Sequence, residues 1–235
     1  MNKQGKLILI PTPIDDKTGL EPVALALLND AWTNKENSIF AVEEIKEGRR
    51  RWLRFGLPRE TIEQFVLYNE HTRNEESKNL INKIQQGKTV YLMSDCGLPA
   101  FCDPGRELVA LCHQHEIKVT ATPFPNSIAL AVALSGFNHD KFVFEGFVPR
   151  EKDERTNALK NILKERRMSI IMDTPYRLAK ILAEFARLKT NRKFFLGTNL
   201  NKSSEELLIG NAAKLAKLME KQKREFILIS EPINN

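Results

Sequence analysis

The run "SDCGLPAFCDPG", residues 94 to 105, places Asp95 and Asp103 in one short stretch with Gly97, Gly105, Pro99 and Pro104. It follows "TVYLM", whose apolar and β-branched residues predict a buried strand. The glycines let backbone approach a ligand closely or take positive φ, and the prolines hold the loop in one shape. Such a loop presents main-chain groups to an adenine or an amino-acid moiety. Asp95, at the strand end, is placed either to bind a hydroxyl or cationic group or to staple its own loop. Asp103, followed by Pro104, predicts the N-cap of a helix over "PGRELVALC".

Two further loops carry candidate chemistry. "PTPIDD" (11 to 16) follows the apolar run "KLILI" and contains no G-x-G-x-x-G, so the usual dinucleotide fingerprint is absent. Pro11 and Pro13 stiffen it, which suits a surface lying flat against a ring. "VEEIKEGRRR" (42 to 51) begins at the end of "SIFAV". Glu43 and Glu44 are candidates to accept a proton, with His71 a weaker one; the same run reads equally as an exposed, solvated charge cluster.

The elements that must position these loops alternate in the first half of the chain. "KLILI" (6 to 10), "SIFAV" (38 to 42), "FVLY" (65 to 68), "TVYLM" (89 to 93) and "IKVTA" (117 to 121) read as strands. Amphipathic stretches "PVALALLNDAW", "EESKNLINKIQQG" and "GRELVALCHQH" lie between several of them. Strand and helix in turn imply a parallel sheet covered on both faces, with ligands beyond the carboxyl ends of its strands. Prolines in "TATPFPNS" interrupt the pattern, so an N-terminal α/β domain is expected over 1–122 and a C-terminal domain over 123–235. The second half opens with the helix "SIALAVALSG" and mixes strands with helices at 151–167, 175–188 and 211–223, which predicts a mixed α+β domain.

With 235 residues, 42% of them hydrophobic, the chain can bury one large core or two small ones. No segment approaches the ~20 uninterrupted apolar residues of a membrane helix. The apolar run in "MNKQGKLILIPTP" is too short for a signal peptide, which points to the cytoplasm. Cys96, Cys102 and Cys112 have no zinc-like spacing, and Cys112 with His113 and His115 lacks a second ligand pair, so no metal is expected. The formal net charge of +6 permits a polyanionic partner. Arg49, Arg50, Arg51 and Arg54 form a compact basic cluster suited to RNA phosphates, with Trp52 beside it either in the core or stacked on a base. Lys214, Lys217, Lys221 and Arg224 follow helical spacing and read as one solvated face.

"LILIPTPI", "NEE" at 74 to 76, "SDCGLPAFCDPG", "FVFEGFVP", "TPYR" and their spacing resemble the tetrapyrrole-methylase superfamily of S-adenosylmethionine-dependent methyltransferases. Within it they are most similar to the branch that 2′-O-methylates small-subunit ribosomal RNA. The resemblance implies two α/β domains with S-adenosylmethionine folded into the cleft between them, and a homodimer acting on RNA. Carried over by position, Asp95, Gly97, Leu98 and Pro99 would face the cofactor, with Pro11, Thr12 and Pro13 opposite and Ser127 approaching from the domain junction. Departures fall elsewhere. The branch's A-E-D-T-R becomes Val42, Glu43, Glu44, Ile45 and Lys46; P-G-P-S-A becomes Phe124, Pro125, Asn126, Ser127 and Ile128. E-S-P-H-R becomes Asp173, Thr174, Pro175, Tyr176 and Arg177, and E-L-T-K becomes Asn199, Leu200, Asn201 and Lys202. By the resemblance these segments line the acceptor side. A small-molecule acceptor such as a tetrapyrrole, and a non-catalytic RNA-binding scaffold of the same fold, remain as alternatives.

Overall fold

Short β-branched and apolar runs separated by amphipathic helices build the first sheet. In the computed structural model, which describes residues 5–124 and 126–233, five strands lie parallel. They are β1 (Lys6–Ile10), β2 (Ser38–Val42), β3 (Val66–Leu67), β4 (Thr89–Met93) and β5 (Lys118–Ala121), in the order β3-β2-β4-β1-β5. Helices α1 (Pro22–Thr33), α2 (Ile45–Arg54), α3 (Arg73–Gln85) and α4 (Arg106–Gln114) connect them. The chain divides into two units by its contacts, Met1–Asn126 and Ser127–Asn235. Residues 1–4, Pro125 and residues 234–235 lie outside the described residues.

Because successive strand residues face opposite sides, each strand feeds two cores. Ile8, Ile10, Phe40, Val42, Tyr91 and Met93 point to one face, where they pack with Ala24 and Leu28 of α1 and with Trp52 of α2. Leu7, Ala41, Val90 and Leu92 point to the other, against Leu80, Ile81 and Ile84 of α3 and Leu108 and Cys112 of α4. Trp52 is fully buried, its indole N–H donating to the Pro58 carbonyl at 2.8 Å. It meets Phe40 and Phe65 edge-on, at centroid separations of 5.2 and 5.3 Å. It is thus a core residue and not a stacking platform for a base.

Helix α2 departs from the sequence reading, which treats 42–51 as loop. Its first turn is capped by the Glu44 side chain, and Glu47 pairs with Arg50 and Arg51 one turn later. Few apolar residues are needed, since the cap and the ion pairs supply what an apolar stripe would otherwise signal. β3 is also shorter than "FVLY" suggests, with two residues in the ladder.

The second unit carries α5 (Ser127–Ser135), β6 (Phe142–Gly146), α6 (Lys152–Lys164), β7 (Met168–Asp173), α7 (Leu178–Arg187), β8 (Lys193–Thr198), β9 (Glu206–Asn211), α8 (Ala212–Leu218) and β10 (Phe226–Ser230). Its sheet runs β6-β7-β10-β8-β9; β6 pairs parallel with β7 and the other neighbours are antiparallel. This is the mixed architecture expected. Leu159, Ile171, Leu182, Phe185, Phe194 and Leu228 form its core. Arg155, 1% exposed, is held by Glu184 through two bonds of 2.8 Å. Helix α8 ends at Leu218, so Lys221 and Arg224 do not share a helical face with Lys214; Arg224 pairs instead with Glu206 at 2.8 Å.

Trp52→Ala should cost about 3–5 kcal/mol of stability, read as a lower urea midpoint. A midpoint within error of the parent would mean that the first core does not depend on this ring.

Candidate cofactor and catalytic site

The register of the first sheet brings three loops to one edge. Ile10 lies opposite Met93, and Met93 opposite Val42, so β1, β4 and β2 end at the same level and their loops start side by side. The loops after β1 and β4 join. Thr12 and Gly97 form an antiparallel bridge, with Thr12 N donating to Gly97 O at 2.9 Å and Gly97 N to Thr12 O at 3.1 Å. The Thr12 hydroxyl donates to Ser94 O at 3.2 Å, and Ser94 Oγ donates back to Gly97 O at 3.1 Å. Buried Arg51 of α2 donates to Pro13 O at 2.9 Å, fixing the other end of the first loop.

The loop after β4 is held in an unusual backbone conformation. Gly97, Ala100, Cys102 and Gly105 have φ of 83°, 66°, 65° and 135°. A non-glycine residue in this region costs about 1–2 kcal/mol, so Ala100 and Cys102 keep it because the surroundings leave no alternative. At Gly105 a Cβ would lie 2.9 Å from Leu92 Cδ2 and 3.1 Å from Ala100 Cβ, which only glycine avoids. At Gly97 a Cβ would meet nothing within 4 Å, so the main chain there borders open space.

This conformation changes the role expected of Asp103. The cap of α4 is Gly105, with no side-chain hydrogen bond, and Pro104 precedes the helix instead of starting it. The Asp103 carboxyl lies half-buried in the loop before the helix instead. Burial, then the negative charges of Glu43 and Asp95, push its pKa up to about 7. Asp95 is pushed up to about 6, first by burial and then by Glu43, Glu47 and Glu44. Its Oδ1 is shielded from solvent without a hydrogen-bond partner, a condition that costs about 1–3 kcal/mol unless a ligand satisfies it.

Glu43 and Glu44, adjacent in sequence, serve different ends. Glu43 Oε2 accepts from Asp95 N at 3.2 Å, tying the loop after β2 to the loop after β4. Glu44 accepts from Lys46 N at 2.9 Å and Glu47 N at 2.6 Å, so both oxygens cap α2. His71 is exposed, in a turn organised by Asn69 Oδ1. Arg50 pairs with Glu47 and Asp16 at the surface, whereas buried Arg51 is held by Glu47 and Pro13 O and is withdrawn from the proposed phosphate cluster; Arg49 and Arg50 are exposed. The Arg54 guanidinium lies 4.9 Å from the Phe55 ring centre with its nitrogens shielded and unbonded.

The sequence-predicted residues Pro11, Thr12, Pro13, Asp95, Gly97, Leu98 and Pro99 therefore lie on two neighbouring loops joined by the bridge. Ser127 is the first residue of α5 in the second unit. The departing segments 173–177 and 199–202 also meet, at one end of the second sheet, since Phe226 pairs with both Asp173 and Thr198. Asp173 is buried, pairing with Arg177 at 3.0 Å and accepting from Val148 N at 3.2 Å. Tyr176 beside it is 76% exposed. Among the described residues no cluster of three or more His, Cys, Asp or Glu is arranged to hold a metal.

Two α/β units, with a strained, bridged loop at the carboxyl edge of a parallel sheet, are the architecture of a methylase family, and the sequence match agrees. Residues 6–216 match the family of Tetrapyrrole (Corrin/Porphyrin) Methylases, and the chain belongs to it. It is 30% identical to Ribosomal RNA small subunit methyltransferase I of Thermotoga maritima over 93% of this chain and 94% of that one. The protein of the same name from Escherichia coli O157:H7 is 29% identical over 98% of this chain and 79% of its own length. Among solved structures, diphthine synthase superposes with a TM-score of 0.66 at 13% identity, covering 97% of this chain and 90% of that one. A Thermus thermophilus uroporphyrin-III C-methyl transferase complexed with S-adenosyl homocysteine gives 0.59 at 18%, with 97% of each chain covered.

If capping is the main work of Glu44, Glu44→Ala should lower stability by about 1 kcal/mol, measured in urea. Glu43→Ala, which frees one main-chain N–H at the loop but no helix end, should shift the midpoint less. The reverse ranking would contradict this division of roles.

Proposed function

We propose that the protein transfers a methyl group from S-adenosylmethionine to RNA, at a ribose 2′-hydroxyl of small-subunit ribosomal RNA. The observation that carries the cofactor reading is the Asp95 Oδ1 atom, shielded and without a partner, next to main chain at Gly97 that borders open space. These suit the hydroxyls and the cationic end of S-adenosylmethionine, with Asp95, Gly97, Leu98 and Pro99 on one side and Pro11, Thr12 and Pro13 on the other. Ser127, the first residue of α5, is proposed as a cofactor contact on the family resemblance alone. The acceptor reading is supported by the ribosomal RNA methyltransferases to which the chain is similar along nearly its full length. The two compact units are read as its two domains. Cytoplasmic location and a homodimer belong to the same reading; no helix among the described residues is long and apolar enough to cross a membrane.

S-adenosylmethionine, when bound, supplies a methyl group on a positively charged sulfur. The protein's part is to hold donor and acceptor in line and exclude water, for which two loops locked to each other are suited. A ribose hydroxyl must also lose a proton. Of the candidate carboxylates Glu43 is better placed than Glu44, because Glu44 has both oxygens engaged with the first turn of α2. Glu43 uses one oxygen on Asp95 N and keeps the other for a proton.

The test is transfer of label from S-adenosylmethionine to small ribosomal subunits, with nuclease mapping of the product and calorimetry of cofactor binding. Binding without added metal and label on a ribose are expected; absence of binding removes the cofactor reading, and binding without transfer to any RNA leaves the scaffold. Glu43→Gln should keep cofactor affinity and lower turnover by about a hundredfold or more; an unchanged rate moves the proton acceptor elsewhere.

On the second unit, exposed Tyr176, with Lys223 Nζ 5.2 Å from its ring centre, is the aromatic surface best suited to stack on an unpaired base. Tyr176→Ala should then weaken RNA binding by about 1–3 kcal/mol without altering cofactor affinity, and Tyr176→Trp should retain it. Equal RNA affinity for Tyr176→Ala and the parent would assign the tyrosine to the solvated surface.

A further inference from the structure

The positive excess of the chain is not shared between its two units. Residues 127–235 carry 20 Lys and Arg against 13 Asp and Glu, while residues 1–126 carry 16 against 17, so the net charge of +6 arises in the second unit. Long-range attraction of a polyanion is therefore a property of that unit. Within it, two aromatic side chains stand in solvent at the same end of the sheet. Phe147, 51% exposed, directly follows β6, and Tyr176, 76% exposed, comes three residues after β7. β6 and β7 are parallel neighbours, so their carboxyl ends emerge side by side, about 4.8 Å apart.

Backbone geometry and one buried carboxylate set both rings. The ladder of β6 slips between Phe144 and Gly146, and Gly146 takes a φ of 66°; a bulge of this kind redirects the side chain that follows, here Phe147. Asp173, whose side chain is fully buried, accepts from Val148 N at 3.2 Å and pairs with Arg177 at 3.0 Å, and Arg177 Nη2 donates to Pro149 O at 2.7 Å. The residues next to Phe147 and next to Tyr176 are thus fastened to each other, which keeps the two rings as neighbours. A single exposed phenylalanine is ordinary. A fastened pair is not, above all with Lys223 Nζ 5.2 Å from the Tyr176 ring centre and exposed Arg150 three residues after Phe147. Aromatic rings offer stacking faces that any base can use, and cations beside them offer partners for phosphate. In a duplex the base faces are already stacked, so such a platform selects an unpaired strand.

We infer that Phe147 and Tyr176 together form a platform for two unpaired bases of an RNA strand, with Lys223 and Arg150 on its phosphates, so that the RNA substrate is gripped where it is single-stranded. The inference rests on the RNA reading of the acceptor given above, but it concerns binding alone and needs neither the cofactor nor methyl transfer.

The test is fluorescence anisotropy, without S-adenosylmethionine, of a labelled short RNA of mixed, unstructured sequence and of the same RNA annealed to its complement. The single strand should bind more tightly than the duplex. Phe147→Ala and Tyr176→Ala should each weaken single-strand binding by about tenfold and leave duplex binding unchanged, and Phe147→Tyr should retain it. Phe142→Ala removes a ring of similar exposure, 49%, from the opposite end of β6, and should bind as the parent does. All of these side chains are exposed, so none of the changes opens a cavity in the core. Equal affinity of the parent for single strand and duplex overturns the platform, as does a Phe147→Ala variant that binds the single strand like the parent, or an equal loss in Phe142→Ala. A parent that self-associates through these rings, seen as a sedimentation shift abolished by Phe147→Ala with RNA affinity intact, overturns it in favour of a second copy of the chain. Label transfer to RNA without any single-strand preference would sink the platform and keep the methyltransferase reading; single-strand binding that depends on both rings, with no transfer to any RNA, would do the opposite.

Discussion

The antiparallel bridge between Thr12 and Gly97 is the constraint on which the site depends. In a parallel sheet the strands end together, and the backbone groups of the emerging loops lose their ladder partners at the same level. Here two loops recover partners by pairing with each other, so residues far apart in sequence become one rigid surface. Once that pairing is set, the rest follows from hydrogen-bond satisfaction. Thr12 and Ser94 turn inward to the remaining carbonyls, Arg51 reaches Pro13 O, and the loop after β4 returns to α4 through left-handed positions at Gly97, Ala100, Cys102 and Gly105.

The same arrangement concentrates negative charge. Glu43, Asp95 and Asp103 converge, while the neighbouring cations Arg50 and Arg51 are turned to Glu47 and Asp16. A carboxyl whose pKa is raised by folding binds more protons in the folded than in the unfolded state over the interval between the two values. Asp95 and Asp103 therefore stabilise the fold less and less as pH rises from about 4 through 6 and 7. The fold bears this cost at one edge only. A site built against the general stability of the chain is the ordinary mark of a ligand-binding surface, and an excess of carboxylates favours a ligand that carries positive charge.

Local pattern revealed the strands well, because β1, β2, β4 and β7 are short apolar runs bounded by turn residues and burial is what such runs are for. It failed where polar interactions replaced apolar ones. Helix α2, "IKEGRRRWLR", shows no clean apolar stripe and is held by the Glu44 cap and by Glu47 with two arginines, so it reads as charged loop. The same ion pairs engage Arg50 and Arg51 of an arginine cluster that looked free for phosphate; no sequence rule says that Asp16, far along the chain, will find Arg50. Asp103 misled in the opposite way, since aspartate before proline is a good helix cap until the φ of Gly105 displaces the helix start to Arg106. The loops at 11–13 and 94–105 were legible as a candidate site from their glycines, prolines and carboxylates, and from the family pattern, and the structure brings them side by side. The bridge joining them was not, because a non-local backbone pair leaves no trace in composition.

The places where the chain departs from the ribosomal RNA branch are informative for what they now do. Ile45 and Lys46 open α2, with the Lys46 amide as one of the two donors held by Glu44, so that segment builds a helix terminus. Asp173 stands where the branch has glutamate; it pairs with Arg177 and accepts from Val148 and Thr174, so the shorter acid ties the end of β7 to the turn that precedes α7. Asn199 and Asn201 take positive φ, which asparagine tolerates better than glutamate or threonine would, and Leu200 between them is buried. Each departure is therefore accommodated by its own hydrogen bonds or backbone geometry instead of being left as a defect. What changes is the chemistry offered outward, above all the exposed Tyr176 in place of histidine, while the loop at 94–105 keeps the family's spacing. The segments at 45–46, 173–177 and 199–201 are thus rebuilt around hydrogen bonds and backbone geometry of their own, while the loop at 94–105 is held by the bridge.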